Sequence, residues 1–384
     1  VTPSGWPDPL EPADPRDVEL VVGRTVAGRY SPAWGPAWAL AGRLGLRGKG
    51  IAARHLSSAM WSSFLVGMQL PGRRALFWRL SLQFEPSDDS DGADLSYEAT
   101  LRDVDQRFGL LKLEARLSHG EALVAHGELW SFVRDELTAD RGTVVAADAL
   151  PPGALQGKIA LVIGASRGLG AALTRGLAAQ GCTVLANFLK SKSDAESLRE
   201  SLSQGPGRAL LLQGDGSDAG WCEEARRQIA RDHGRLDYLI CSAFPPPIAL
   251  RLHAQTVGRI RDYVNRSFGL VSTPMAVFLP MLRDSRGWSV TISSDMVTSP
   301  PPELPQYVSA KYAIEGLTRA AAVEYPSVSF LIVRPPTILT DMTNTPVRRH
   351  DALAPDEAAN RVVLRLAGTP ALGRVEILDD FARA

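Results

Sequence analysis

Ile159-Ala-Leu-Val-Ile163-Gly164-Ala-Ser-Arg167-Gly168-Leu-Gly170 is the stretch that decides the fold. The apolar run Ile159–Ile163 predicts a short buried strand, the glycines a tight turn, and the small-residue segment Ala171–Gln180 a helix. Three glycines are weak evidence in a chain with 34 of them, and the placement between strand and helix is what gives them weight. Glycine at such a turn lets backbone approach a pyrophosphate, which the free N–H groups and dipole of the following helix then hold.

Outward from that turn the strand signal repeats at Thr183–Ala186, Leu210–Gln213, Tyr238–Cys241, Ser289–Ile292 and Ser329–Val333, with helix-length segments between. Alternation of this kind predicts parallel βαβ units and an α/β, doubly wound, Rossmann-type sheet over residues 157–384. Upstream, Leu150-Pro-Pro-Gly closes a weakly patterned stretch, 135–156, that reads as a linker. Before it, Ala52–Val66 reads as an apolar helix stopped by Leu70-Pro71-Gly72. Four runs alternate with period two: Trp78/Leu80/Leu82/Phe84, Leu95/Tyr97/Ala99/Leu101, Leu111/Leu113/Ala115/Leu117 and Leu123–Val133. One helix laid on an antiparallel sheet, an α+β layer over 17–134, is the expectation, with residues 1–16 a Pro/Asp-rich tail.

Composition bounds the function classes. The 384 residues suffice for two or three domains, and 45% apolar with 22% charged residues is ordinary for a folded soluble protein. Lys plus Arg and Asp plus Glu are 42 each, so no net basic field exists to hold nucleic acid. No apolar run approaches the roughly 18–20 residues needed to span a bilayer, and the acidic, Pro-rich start does not read as a signal peptide. Cys182, Cys222 and Cys241 are too few and too far apart for a disulfide framework or a zinc cluster, and a cytoplasmic setting is expected. His119, His126, Asp284 and Asp295 make no constellation, and Arg348-Arg349-His350 reads as a solvated charge run. Only six basic residues are Lys, so each one invites a reason.

Tyr307-Val-Ser-Ala-Lys311 supplies such a reason. Four residues make about one helical turn, so the two side chains share a face. Ser294, closing the strand Ser289–Ile292, lies 13 residues before Tyr307. A carbonyl accepting hydride builds charge on oxygen, and a phenol with a pKa near 10 needs help to serve as the proton donor at neutral pH. An ammonium about 4 Å away, at an effective dielectric near 20, favours the phenolate by about 4 kcal/mol and would bring the phenol toward pH 7.

The glycine spacing and the Tyr-x-x-x-Lys pair with its upstream Ser resemble the short-chain dehydrogenase/reductase family. The resemblance implies a catalytic set of Asn265, Ser294, Tyr307 and Lys311, with Asn265 anchoring a proton-relay water. It implies a nicotinamide cofactor held by Gly164, Ser166, Arg167, Gly168, Leu169, Gly170, Asn187, Lys190, Asp215, Ala243, Tyr307, Lys311, Pro335 and Thr340. The second strand ends Ala186-Asn187-Phe188 without the acid that would hold a ribose diol, and Arg167, Lys190 and Lys192 stand ready for a 2′-phosphate, so NADP(H) is expected. Departures from the family pattern are Cys241-Ser-Ala-Phe244 where Asn-Asn-Ala-Gly is usual, Pro335-Pro336 where Pro-Gly is usual, and Asp379-Asp380 near the usual C-terminal Gly-Gly.

The N-terminal part resembles the hotdog fold of MaoC-like dehydratases, with Arg29 and Trp34 where that family's Asp and His would stand around Pro32. Neither can act as a base at pH 7. The reading is an NADPH-dependent ketoreductase acting on a 3-oxoacyl thioester of CoA or a carrier protein, with a non-catalytic hotdog-like domain and assembly into a homo-oligomer. A bifunctional reductase/dehydratase and a non-catalytic nucleotide-binding protein stand as alternatives.

Overall fold

The computed structural model describes residues 12–14, 20–32, 39, 42–43, 45, 51, 53–86, 94–134, 150–340, 343–344 and 352–381. The chain divides into two compact units, Val1–Leu137 with Asn344–His350, and Thr138–Thr343 with Asp351–Ala384. Trp34, most of the linker and the Arg348-Arg349-His350 run lie outside the described residues.

In the first unit, strands β1 (Thr25–Tyr30), β2 (Ala75–Phe84), β3 (Leu95–Asp105), β4 (Leu110–His119) and β5 (Ala122–Val133) form an antiparallel sheet in the order β1-β3-β4-β5-β2. Period-two alternation works as expected in β3 and β4: Leu95, Tyr97, Ala99, Leu101, Leu111, Leu113, Ala115 and Leu117 are all buried. They pack under helix α1 (Ala53–Phe64) and the wider turn Leu65–Gln69 that continues it, through Trp61, Leu65 and Val66. One expectation fails here. β2 carries a bulge between Phe77 and Arg79 that leaves Trp78 unpaired and exposed, whereas Leu80, Leu82 and Phe84 keep one face, opposite Leu129, Gly127 and Ala125, and Leu80 and Phe84 are partly open to solvent because β2 is an edge strand. The stretch Gly28-Arg29-Tyr30, ahead of the helix as expected, is the end of edge strand β1, with Arg29 exposed opposite Ser96.

The second unit is a seven-stranded parallel sheet in the order β12-β11-β10-β9-β6-β7-β8. Its strands are β6 (Ile159–Ile163), β7 (Thr183–Phe188), β8 (Arg208–Gln213), β9 (Tyr238–Cys241), β10 (Trp288–Ile292), β11 (Ser329–Val333) and β12 (Val375–Leu378). Between them run α2 (Gly168–Ala179), α3 (Lys192–Ser201), α4 (Ala219–His233), α5 (Val257–Ser285), α6 (Pro305–Glu324) and α7 (Pro355–Ala367). β6 alternates its side chains between two cores, Ala160 and Val162 on the α2/α7 face and Ile159, Leu161 and Ile163 on the α4/α5/α6 face. The chain runs from β6 outward to β8, then returns to the other side of β6 as β9. That reversal is the topological switch point, and crevices beyond the strand ends there are where such sheets bind ligands.

Candidate active site

The turn after β6 can be built only from glycines. Gly164 has φ +81°, and a Cβ on it would lie 2.7 Å from the backbone of Ala243, which follows β9. A Cβ on Gly170 would lie 2.0 Å from the Gly164 carbonyl oxygen. Gly168, at φ +55°, would meet the Thr340 methyl at 3.1 Å. The turn is thus wedged against two other loops, and the structure brings Ala243 and Thr340 to it as expected. Ala243 N–H donates to the Ile163 carbonyl at 2.8 Å, and the Pro335 carbonyl accepts from Asp295 N–H at 3.1 Å. Arg167 stands at the N-cap of α2 with extended backbone and no side-chain cap, so the helix's first amides, around Gly168, Leu169 and Gly170, have no side-chain acceptor. Ser166 is half-buried in the same turn. A narrow backbone cradle with uncapped N–H groups fits a pyrophosphate.

Asn187 departs from its expected role. It is buried, its Oδ1 accepts from Gly164 N–H at 3.3 Å, and its Nδ2 donates to the carbonyls of Leu212 at 3.2 Å and Gly214 at 3.0 Å. Its polar atoms are committed to the ends of β6 and β8, so it braces the turn rather than reaching a ligand. Arg167 and Lys190 are exposed, while Lys192 faces Glu196 at 3.8 Å. Asp215 is exposed and its Oδ1 accepts from Ser217 N–H and Oγ at 2.8 and 2.7 Å, an Asx turn that fixes the loop after β8.

At the ends of β9 and β10 the structure gathers Ser294, Tyr307 and Lys311. Pro305, at the first turn of α6, suits a helix start because its missing N–H has no partner to lose. Two residues on stands Tyr307, and one further turn on stands the buried Lys311. Lys311 Nζ donates to the Ile292 carbonyl at 2.8 Å, lies 3.5 Å from the centre of the Phe244 ring and 5.4 Å from that of Tyr307. The Ser294 hydroxyl accepts from Met296 N–H at 3.3 Å and donates to Asp295 at 3.2 Å.

The electrostatics differ from the expected pairing. Burial pushes the Tyr307 phenol above its ordinary value, and the Asp295 charge adds to this, against a lowering hydrogen bond with Ser294. Burial likewise pushes Lys311 down to about 7, partly opposed by the Glu315 charge. The ammonium that was to lower the phenol is instead aimed at a carbonyl and an aromatic face.

Among the described residues, Asn265 makes no hydrogen bond to Ser294, Tyr307 or Lys311. It is exposed on α5, two residues from Tyr263 and two from Ser267, both of which are buried. At 3.6 residues per turn, two positions put it about 200° around the helix from that face. The buried position belongs to Ser267, whose hydroxyl donates to the Tyr263 carbonyl at 2.8 Å. Sequence reasoning also passed over Glu315, one turn beyond Lys311. Its buried carboxylate accepts from Ser293 Oγ at 2.7 Å and from Arg334 Nε and the guanidinium NH2 at 2.9 and 2.7 Å. Burial raises its proton affinity, but Arg334 and Ser293 outweigh that and hold it below the usual carboxylate range. The i, i+4 spacing from Lys311 was the available signal.

Among the described residues, no cluster of His, Cys, Asp or Glu could hold a metal, and no helix is long and apolar enough to cross a membrane. The three thiols are buried; burial pushes Cys222 up to about 12 and the other two higher, so none is a nucleophile.

A family model described as short chain dehydrogenase matches residues 158–351, half of the chain. Similar proteins include a 3-oxoacyl-[acyl-carrier-protein] reductase of Staphylococcus epidermidis, 28% identical over 49% of this chain and 78% of its own. A fatty acyl-CoA reductase of Acinetobacter baylyi is 25% identical over 56% of this chain and 75% of its own. Among solved structures, an alcohol dehydrogenase from the archaeon Thermococcus sibiricus, complexed with 5-hydroxy-NADP, shares the fold with TM-score 0.53 at 26% identity, covering 59% of this chain and 98% of that one.

Proposed function

Because the chain belongs to the short chain dehydrogenase family, we propose that it is an NADPH-dependent reductase of a 3-oxoacyl thioester, carried on CoA or a carrier protein. The observation that supports this best is the convergence of Ser294, Tyr307 and Lys311 beside the glycine turn at the switch point of the sheet.

NADPH, bound with its pyrophosphate over the turn Gly164–Gly170, would supply the hydride that reduces the ketone carbon. The remaining work falls to this chain. Ser294 Oγ turns its proton from Asp295 to the substrate oxygen, fixing the carbonyl and stabilising the charge that grows on it. Tyr307 Oη gives that oxygen a proton, completing the secondary alcohol, and needs a nearby cation to bear the negative charge it acquires. Lys311 can supply it once Nζ leaves the Ile292 carbonyl. Burial favours the neutral phenol, the form that donates. Arg167 and Lys190, both exposed, are cations that a 2′-phosphate could use, and the buried amide of Asn187 offers no carboxylate to a ribose diol, which supports NADPH.

The thioester rests on the relatives named above and on the resemblance of the first unit to a hotdog domain. Its five-stranded antiparallel sheet, with helix α1 packed on it, suits that layer arrangement. We read it as a non-catalytic unit that steers an acyl chain or assembles the protein. Following NADPH oxidation against a panel of 3-oxoacyl thioesters and simple ketones tests the substrate class. Higher kcat/KM for simple ketones overturns the thioester assignment. Equal efficiency with NADH, or an Arg167→Ala protein that binds NADPH unchanged, overturns the cofactor assignment.

A further inference from the structure

The turn after β9 reads Cys241-Ser242-Ala243-Phe244 and continues into Pro245-Pro246-Pro247. Phe244 stands edge-on to Tyr307, ring centres 5.5 Å apart at 78°, and edge-on to Tyr263, 6.2 Å apart at 65°. The third neighbour of its ring is Lys311 Nζ, 3.5 Å from the centroid. At that distance the ammonium touches the ring face, and no atom fits between them. The Ile292 carbonyl takes one of the ammonium's three N–H donors, and the ring covers another side.

We infer that Phe244 is a gate over the catalytic pair, a ring that covers Lys311 while the crevice is empty and must swing aside before a nicotinamide cofactor can reach the lysine. The inference rests on the reductase reading, because it takes Lys311 to be a group that the cofactor contacts. Ring and ribose cannot both lie against Nζ.

The backbone around Phe244 is held, so the movement is confined to its side chain. On one side Ala243 N–H donates to the Ile163 carbonyl at 2.8 Å, and on the other Tyr263 Oη donates to the Pro245 carbonyl at 2.8 Å. Three consecutive prolines then restrict φ. The ring is only half-buried, which leaves open space on its outer side for rotation about χ1. Opening exchanges a cation–π contact and two edge-to-face contacts for contacts with the cofactor, so it weakens cofactor binding by the cost of leaving. The same opening lets water and the cofactor reach a lysine that burial otherwise holds near neutrality.

The experiment uses the full chain, as wild type, Phe244→Ala and Phe244→Leu, with circular dichroism to establish that each is folded. Two readouts are taken. NADPH affinity is measured by fluorescence titration, and the acetylation rate of each of the six lysines of the cofactor-free protein is measured by peptide mass spectrometry. Phe244→Ala is expected to bind NADPH about tenfold more tightly, a change of about 1.4 kcal/mol, and to acetylate several-fold faster at Lys311 only. Phe244→Leu, which keeps bulk but not the π face, should fall between. NADPH should slow Lys311 acetylation in all three. Unchanged affinity together with unchanged Lys311 acetylation in Phe244→Ala overturns the gate. If Lys311 acetylates faster in that variant while none of the proteins binds NADPH or NADH, the ring's cover stands and the reductase reading falls, taking the gate's role with it.

Discussion

The two units bury different kinds of chemistry. The strand-and-helix layer of the first unit closes over Leu, Ala, Val, Trp and Tyr, and among the described residues the buried polar side chains of its helix and sheet are four serines: Ser57, Ser58, Ser62 and Ser131. The parallel unit buries Lys311, Glu315 and Asp237 as well, together with Asn187, Gln306 and a Thr291–Thr318 pair; Lys311 and Glu315 stand with Ser293 and Ser294 at the carboxyl ends of its strands, and Asp237 at the opposite end. Burying an ionised group is expensive and persists only where partners or function hold it there. One unit is therefore organised as a scaffold, and the other has spent part of its stability on a reactive edge.

The largest effect expected from breaking that contrast is at Tyr307. Tyr307→Phe removes one hydroxyl and little volume, and steady-state kinetics should show kcat lowered by roughly 10²–10⁴-fold with NADPH affinity nearly unchanged. Retention of a tenth of the activity would remove Tyr307 as the proton donor. Glu315 comes next. Glu315→Gln leaves Arg334 without its carboxylate in a mostly buried setting, and urea unfolding should report a loss of about 3 kcal/mol. A loss below about 1 kcal/mol would mean that the ion pair is solvated.

Lys311 sharpens the comparison through pH. Its folded pKa of about 7 lies below that of an unfolded lysine, so between about pH 7 and 10 the unfolded chain holds a proton the folded chain has released. Stability from this group therefore rises with pH across that window, at up to about 1.4 kcal/mol per unit, and the penalty is fully present below it. Lys311→Met should abolish the rise. The slope is read as wild type minus variant, because the three buried thiols titrate in the opposite sense in both. Parallel stability curves would show that Lys311 is solvated. The smallest effect is expected in the first unit: Arg29→Ala should leave kcat within about twofold and produce no hydration of 2-enoyl thioesters by the full chain, Arg29 being exposed on an edge strand with no acid–base role.

Legibility in the sequence followed the same division. Features written as short-range spacing were readable: the glycine turn, Tyr307 and Lys311 one turn apart, Ser294 at a strand end, the alternating faces of β3 and β4. Features made by a third element were not. The side of the helix on which Asn265 stands depends on a phase that only packing sets, and packing put Tyr263 and Ser267 inward. Trp78 failed because it sits in a bulge, an irregularity of strand pairing that the period-two pattern does not encode. Asp295, read as part of no constellation, is exposed yet accepts a hydrogen bond from Ser294 Oγ. Phe244 was visible as a departure from a family pattern, but its contact with Lys311 joins residues 67 positions apart in the chain, and no local pattern encodes that.

Asn187 has a consequence for how this protein could change its coenzyme. An acid at the end of the second parallel strand is the direct route to NADH. Here, however, Asn187→Asp would point a carboxylate at the Leu212 and Gly214 carbonyls, which now receive its amide protons. The substitution that alters preference would also unstitch the turn on which either coenzyme must rest. Redirecting the enzyme by mutation therefore calls for a second, compensating change after β8 first, and that order of steps would make the proposed NADPH preference hard to lose by drift.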